Sequence, residues 1–336
     1  NRLYQQIGDF ANLLVPEERI ELSWVSPHDL ESCASANSAT PAYVSVALGI
    51  YEKNDNLSTD CAVRSISLFL LYCDSMARVI SVVNQKGGVG KTTTSVNVAA
   101  ALSLLDQTVL LVDIDSQGNA TSGLGFDPMT VHPSVYDVLT ENASIDQAII
   151  NTGIERLDIL PANVDLAGAS VELVSADQRE YRLRHALGLV EDRYDFIIID
   201  CPPSLGVLTI NGIVAGNEIL IPVQAEYYAL EGLGQLLRTI ELTKEYLHPD
   251  LNILGAVLTM YDRRNKLSQA VFEDMYKHFP NTVFRTIIPR TVRLAEAPSY
   301  GKPIALYDPT GNGAKAYMKL AREMLIREAH INPREV

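Results

Sequence analysis

From position 76 onward, short apolar runs alternate with segments in which apolar residues recur every three or four positions. The first pattern suits buried strands and the second suits helices packed on them. The runs predict strands at 79–84, 108–113, 157–161, 195–200, 218–223, 252–260 and 283–288. The periodic segments predict helices at 92–104, 179–190, 206–214, 230–246, 267–279 and 313–327, with two short ones within 134–149. Regular alternation of this kind is what a doubly wound, mostly parallel α/β sheet with helices on both faces requires. No internal repeat or long linker interrupts it, so 76–328 reads as one domain and 329–336 as a C-terminal tail.

Residues 1–75 have a different texture. They hold Trp24, three of the four cysteines and a Ser/Asn/Ala-rich stretch around Cys33 to Thr40, and their periodicity is weak. Met76 stands directly before the first core strand, where a compact α/β domain begins naturally. The expectation is that Met76 is the native start and that what precedes it is upstream read-through, a fragment or an extension. Its competitor is a true accessory domain of unknown fold.

Composition narrows the class. The chain has 336 residues, 47% of them hydrophobic, enough for a substantial core. A net charge of −14 argues against nucleic-acid binding through the overall field and leaves only a local basic patch for that purpose. Cys33, Cys61, Cys73 and Cys201 show no metal-binding spacing, which fits a reducing, cytoplasmic setting. No apolar run approaches the ~20 residues that span a bilayer, and no signal design opens the chain.

Between the first predicted strand and helix the chain reads NQKGGVGKTTT. Gly87, Gly88 and Gly90 let the backbone curl with its N–H groups inward around an anion, with Val89 between them. The helix that follows adds the positive end of its dipole. Lys91 is placed to reach β- and γ-phosphates, Thr92 to ligate Mg2+, and Thr93 to continue the cradle. The strict P-loop spacing puts its first glycine at Gln85, and Lys86 follows, so this is the deviant form of the loop, KGGVGKT.

Three carboxylates stand at predicted strand ends. Asp113 and Asp115 close the second strand in VDIDSQGNATSGLG, beside the P-loop in a doubly wound sheet. Asp115 is the candidate for orienting the attacking water, and Asp113 for supporting the metal or the loop. A simple Asx-turn cap is the alternative for this pair, because Gln117, Gly118 and Asn119 make a plausible turn themselves. Asp200 ends the apolar run FIIID, the arrangement that holds Mg2+ beside a P-loop. Cys201 follows it with no base nearby in sequence and reads as a small buried hydrophobe.

The segment 261–302 reverses the overall charge balance. Arg263, Arg264, Lys266, Lys277, Arg285, Arg290, Arg293 and Lys302 face only Asp262, Glu273, Asp274 and Glu296. It is a candidate phosphate-contacting surface, with a solvated face as the plainer reading. Without a helix-turn-helix or zinc module, DNA contact here would be to the backbone and indifferent to sequence.

NQKGGVGKTTT, DIDSQGNATSGLG, IIIDCPPSLG, EYYALEGLGQL and IPRTVRLAEAPSYGKPI together resemble the ParA/Soj-type chromosome and plasmid partitioning ATPases, over essentially all of 77–328. The resemblance implies a P-loop ATPase that uses ATP and Mg2+, forms an ATP-dependent sandwich homodimer and binds double-stranded DNA nonspecifically. It further implies slow hydrolysis stimulated by a ParB/Spo0J-type centromere-binding partner, and a nucleoid-associated place in the cytoplasm. On this resemblance Lys86 is the signature lysine acting across the dimer, Lys91 and Thr92 serve phosphate and metal, Asp115 is the hydrolysis aspartate and Asp200 the Walker B acid. Pro289 and Thr291 fall where the family's loop meets adenine, although asparagine is more usual at the second. Arg264 and Arg293 match the family's DNA-contacting arginines.

Relatives sharing the loop are weighed on the same residues. MinD-type positioning ATPases end in a basic amphipathic membrane helix, whereas LAREMLIREAHINPREV mixes acids and a proline into its end. Iron–sulfur carriers need paired cysteines in the ATPase core, where only Cys201 stands. A metabolic ATP-dependent ligase of the same fold, such as a dethiobiotin-synthetase-like enzyme, is the alternative from another class. Its turnover would not depend on DNA or a partner protein. Operon-regulating members carry an N-terminal helix-turn-helix domain, and 1–75 show no such pattern, so the chain reads as the short, chromosomal-type form.

Overall fold

The structure is a computed structural model in which residues 76–226, 229–278 and 282–327 are described. The expectations for 1–75 and for the tail 329–336 lie outside the described residues.

Eight strands form one sheet in the order β3-β4-β2-β5-β1-β6-β7-β8. They are β1 Arg78–Val82, β2 Val109–Asp113, β3 Ile150–Asn151, β4 Leu157–Leu160, β5 Phe196–Asp200, β6 Glu218–Gln224, β7 Asn252–Tyr261 and β8 Val283–Pro289. All neighbouring pairs are parallel except β3 with β4. The seven strands expected from the sequence all form, and β3 is an addition. It is two residues long, too short for any periodic signal, and pairs Ile150 with Ile159 at the sheet edge.

The apolar strands lack a polar alternate because both faces of the sheet are covered. Val79, Leu110, Ile197, Ile199 and Ile221 enter one core. Ile80, Leu111, Ile198 and Leu220, offset by one position, enter the other. A period of two therefore sorts each strand between two hydrophobic layers. Helix Lys91–Ser103 is buried nearly all round, so it carries little amphipathic signal despite being a regular helix.

The expected helices appear with ends shifted by at most three residues, as Arg182–Leu187, Val207–Ala215, Ala229–Tyr246, Lys266–His278 and Asn312–Ile326. The expected pair within 134–149 is Val135–Leu139 and Ile145–Ala148. Ser134 opens the first of these with a capping box to Asp137. Helices at Asn119–Gly123, Leu166–Glu172, Val292–Glu296 and Ile304–Tyr307 were not anticipated. Each is seven residues or fewer, less than two full turns, and leaves almost no 3.6-residue pattern to read.

Because β1 lies between β5 and β6 at the centre of the sheet, the carboxyl ends of β1, β2 and β5 converge. β1 is in register with β5 so that Val82 sits opposite Asp200, and β2 sets Asp113 opposite the same residue. The loop after β1 and the three predicted acids are thereby brought to one edge.

Candidate functional site

The loop is held open by its own tethers. Asn84 at its start donates from Nδ2 to the Pro222 carbonyl (2.7 Å) and accepts from the Lys86 amide (2.9 Å). At the far side Thr259 Oγ1 donates to the Val89 carbonyl (2.7 Å), tying the loop to β7. Gly88 and Gly90 adopt φ of 72° and 90°, a region in which side chains are strained. No atom lies within 4 Å of where a Cβ on Gly87 or Gly88 would stand, so the space above the nest is open. That is the shape a polyphosphate needs.

The two lysines of the loop diverge. Lys91 is buried, and its ammonium donates to the Lys86 carbonyl (3.3 Å) within the loop. Burial pulls its pKa below the ordinary lysine value, while Asp200 and Asp115 oppose that shift. The Lys86 ammonium instead lies at the rim, 3.5 Å from Glu226 Oε2 at the end of β6. Glu226 also accepts from Gln224 Nε2 (2.8 Å) and faces the Arg290 guanidinium at 3.6 Å.

Asp200 is fully buried at the end of β5. Its Oδ1 accepts from the Ser95 hydroxyl (2.8 Å), and its Oδ2 is buried without a hydrogen-bond partner. The Thr92 hydroxyl lies toward the same carboxylate and, with Ser95, favours its charged form. Burial dominates, however, and together with Asp113 pushes the Asp200 carboxyl far above the usual range. A buried, unpartnered carboxylate oxygen beside a threonine hydroxyl suits a divalent cation, which would offset the cost of the charge. Among the described residues no group of three or more His, Cys, Asp or Glu forms a metal cage. Mg2+ at a phosphate site needs only one or two protein oxygens, with phosphate and water supplying the rest. Thr92 and Asp200 fit it.

Asp113 is placed differently. Its Oδ2 accepts from the Thr121 amide and hydroxyl (2.8 Å each), and its Oδ1 from the Asp115 amide (3.1 Å). Oδ2 thus holds the helix Asn119–Gly123 and Oδ1 the turn at Asp115, so the geometry favours the loop-supporting half of the expectation. Asp113 is nevertheless raised above the ordinary carboxylate pKa, first by burial. Asp115 is also buried, and its Oδ1 accepts from the Gln117 amide (3.0 Å). The Asx turn weighed as an alternative is therefore present, in a residue that also faces Lys91. Cys201 is fully buried with its thiol pKa pushed well up by burial, as expected of a packing residue.

Pro289 ends β8 opposite Tyr261, and Thr291 caps helix Val292–Glu296 by accepting from the Leu294 amide (3.2 Å). Of the expected adenine contacts, then, Thr291 already has a structural task. Arg264 and Arg293 project from the segments after β7 and β8, with side chains 90% and 62% exposed.

Ser95, Glu226, Gln224 and Thr259 escaped sequence reasoning. Ser95 had a readable signal, since it lies four residues after Lys91 on a helix and so shares its face. Glu226 opens the EYYALEGLGQL stretch quoted above, but nothing along that stretch points to Lys86 as its partner.

Comparison with known proteins agrees with this geometry. A family model described as an AAA domain matches residues 77–253. The sporulation initiation inhibitor protein Soj of Bacillus subtilis is 55% identical over 249 residues, covering 74% of this chain and 98% of the relative. The chromosome partitioning protein ParA of Myxococcus xanthus is 48% identical, covering 77% and 92%. A solved structure named cobyrinic acid a,c-diamide synthase, from Mycobacterium smegmatis with bound ADP and magnesium, is 41% identical with a TM-score of 0.66, covering 74% and 94%. With the deviant P-loop, the strand-end acids and these relatives each matching about three quarters of the sequence, the chain belongs to the ParA/Soj family of chromosome-partitioning ATPases.

Proposed function

We propose that residues 76–328 form an ATP-dependent partitioning switch: two copies close face to face over two ATP molecules, the closed pair holds DNA without sequence preference, and a ParB/Spo0J-type partner triggers hydrolysis that releases it. The observation that carries this reading is the divergence of the two loop lysines. Lys91 points into the nest and serves its own nucleotide, whereas the Lys86 ammonium stands on the rim beside Glu226. A cation at the mouth of an open cradle is placed to meet a phosphate presented by a facing copy.

Within this reading the residues divide the work of phosphoryl transfer. Backbone amides of 87–92 and the Lys91 ammonium bind and orient the polyphosphate, and Thr92 and Asp200 hold Mg2+, which supplies charge neutralisation. Asp115 orients the water, and Asp113 keeps the Asp115 loop in place by accepting from the Asp115 and Thr121 amides. Pro289 and Thr291 border the base. Arg264 and Arg293 contact DNA phosphates, which puts the closed dimer on the nucleoid. No helix among the described residues is long and apolar enough to cross a membrane.

The Mycobacterium smegmatis neighbour is named as a cobyrinic acid a,c-diamide synthase, so a ligase reading is the one to test against. ATP turnover is measured alone, with duplex DNA, with a ParB-type protein and with both. The switch is expected to be slow alone and fastest with both present. Turnover that neither addition changes, but that a small carboxylic substrate raises, would point to a ligase instead.

A further inference from the structure

We propose that Asp262 and Glu296 are resident competitors of nucleic-acid phosphate, each occupying the guanidinium of a neighbouring arginine until a phosphate displaces it. This rests on the reading of Arg264 and Arg293 as DNA contacts. The segments that carry the two arginines leave the sheet from neighbouring strand ends. Tyr261 at the end of β7 pairs with Pro289 at the end of β8, and the Arg290 amide donates to the Tyr261 carbonyl (3.0 Å). Arg264 and Arg293 follow within a few residues on the same edge.

Each is already engaged. Arg264 donates from Nε to Asp262 Oδ1 (3.0 Å) and from its terminal nitrogen to Oδ2 (2.8 Å), a two-pronged contact. Arg293 donates to Glu296 Oε2 (3.1 Å). The acids are anchored independently of the arginine side chains. Asp262 Oδ1 also accepts from the Arg264 amide (3.0 Å), and the Asp262 carbonyl from the Asn265 amide (3.0 Å). Glu296 Oε2 also accepts from the Tyr307 hydroxyl (3.2 Å), whose ring lies 6.0 Å from the Arg293 guanidinium. The hydrogen bonds from Arg264 hold Asp262 down at a pKa of about 2, so it is ionised wherever the protein is assayed.

The arginine fork matches carboxylate and phosphate alike, so the two anions compete for one set of donors. Exposed pairs of this kind are weak, so the competition lowers DNA affinity severalfold without abolishing it. An arginine neutralised by its acid in the free protein also brings a smaller net counterion release on binding DNA than a bare arginine would. The outcome is a grip that is light and easily reversed, as a protein that must let go of DNA requires.

The test uses the full chain with Mg2+ and a nonhydrolysable ATP analogue, titrated against a fluorescent duplex of arbitrary sequence between about 50 and 200 mM salt. Asp262→Asn keeps an acceptor for the Arg264 amide, and Glu296→Gln keeps one for Tyr307, so each removes charge with little change of shape. Each is expected to tighten binding about 2- to 5-fold, with a salt slope steeper by up to about one per arginine. Arg264→Glu and Arg293→Glu run alongside. If these lose binding while the neutral variants match the parent, the competitor proposal is overturned and the DNA reading stands. If the arginine variants bind as tightly as the parent, both fall. Tightening matched by an equal shift in analogue-dependent dimerisation would also overturn it, because the acids would then be acting on assembly.

Discussion

The Lys86 ammonium lies 3.5 Å from a carboxylate oxygen of Glu226 in its own chain, and the other oxygen of Glu226 faces Arg290 at 3.6 Å. The residue proposed to act across an interface is thus held within one copy, by an acid that a facing phosphate must outcompete. An exposed ion pair is worth at most about 1 kcal/mol. Glu226→Gln is expected to lower the protein concentration at which ATP drives dimerisation, by up to about 5-fold for each of the two pairs a dimer must break. Sedimentation velocity with ATP and Mg2+ measures it, and an unchanged midpoint would remove Glu226 from the switch.

Lys91→Ala is expected to weaken ATP binding by a factor of about 100 or more, since a buried charge-assisted phosphate contact is lost. Asp115→Ala is expected to bind ATP as the parent does while turnover falls by a factor of about 100 or more. Equilibrium binding of a fluorescent ATP analogue and single-turnover hydrolysis separate the two. Normal hydrolysis by the Asp115 variant would take the water-orienting role away from it.

Asp200 illustrates a stability cost tied to function. Its carboxyl is raised above the usual range by burial, so its ionised form disfavours the nucleotide-free fold above that range. Asp200→Asn is expected to stabilise the nucleotide-free protein by about 1–3 kcal/mol, a rise of several degrees in Tm. The same change should remove the additional Tm gain that Mg2+ brings in the presence of ATP. Differential scanning fluorimetry with and without Mg2+ and ATP reads both. A variant less stable than the parent without nucleotide would show that the buried charge is already compensated.

His248 sets a separate pH dependence. Burial, aided by Arg184 and Lys244, pushes its imidazole down to about 4, and its Nδ1 is buried without a hydrogen-bond partner. In the unfolded chain the value is about 6.5, so between these limits the unfolded state binds more protons. The His248 contribution to stability is therefore fully present above about 6.5 and is lost as pH falls toward 4, on the order of 1–3 kcal/mol in all. His248→Asn is expected to flatten the fall of Tm across that window. A slope unchanged by the substitution would assign the acid sensitivity to other groups.

These expectations differ in how far they were legible in the sequence. The strands were readable because two covered faces demand nearly continuous apolar runs, and Phe196 to Ile199, and Val79 to Val83 with only Ser81 interposed, supply them. The P-loop and the strand-end acids were readable because phosphate chemistry fixes residue type and spacing along one contiguous stretch. Asp113 was harder, since its choice between metal and loop depends on Thr121, eight residues away in a helix of five residues. Glu226 was invisible, because Lys86 meets it only after β6 has been laid beside β1. The acids beside Arg264 and Arg293 were visible as composition, but pairing is a matter of side-chain geometry. Local rules are written in the sequence, and contacts between distant segments are decided by the sheet order.

The central claim is that each nucleotide site is shared between two copies, and a mixing experiment tests it most directly. Lys86→Ala and Asp115→Ala proteins are assayed separately and in equal mixture, with ATP, Mg2+, duplex DNA and a ParB-type partner. If Lys86 acts across the interface, half of the dimers in the mixture are mixed, and each of these has one intact site. Turnover is then expected to rise from near zero to about a quarter of the parent rate. A mixture no more active than the two variants assayed apart would contradict the shared site.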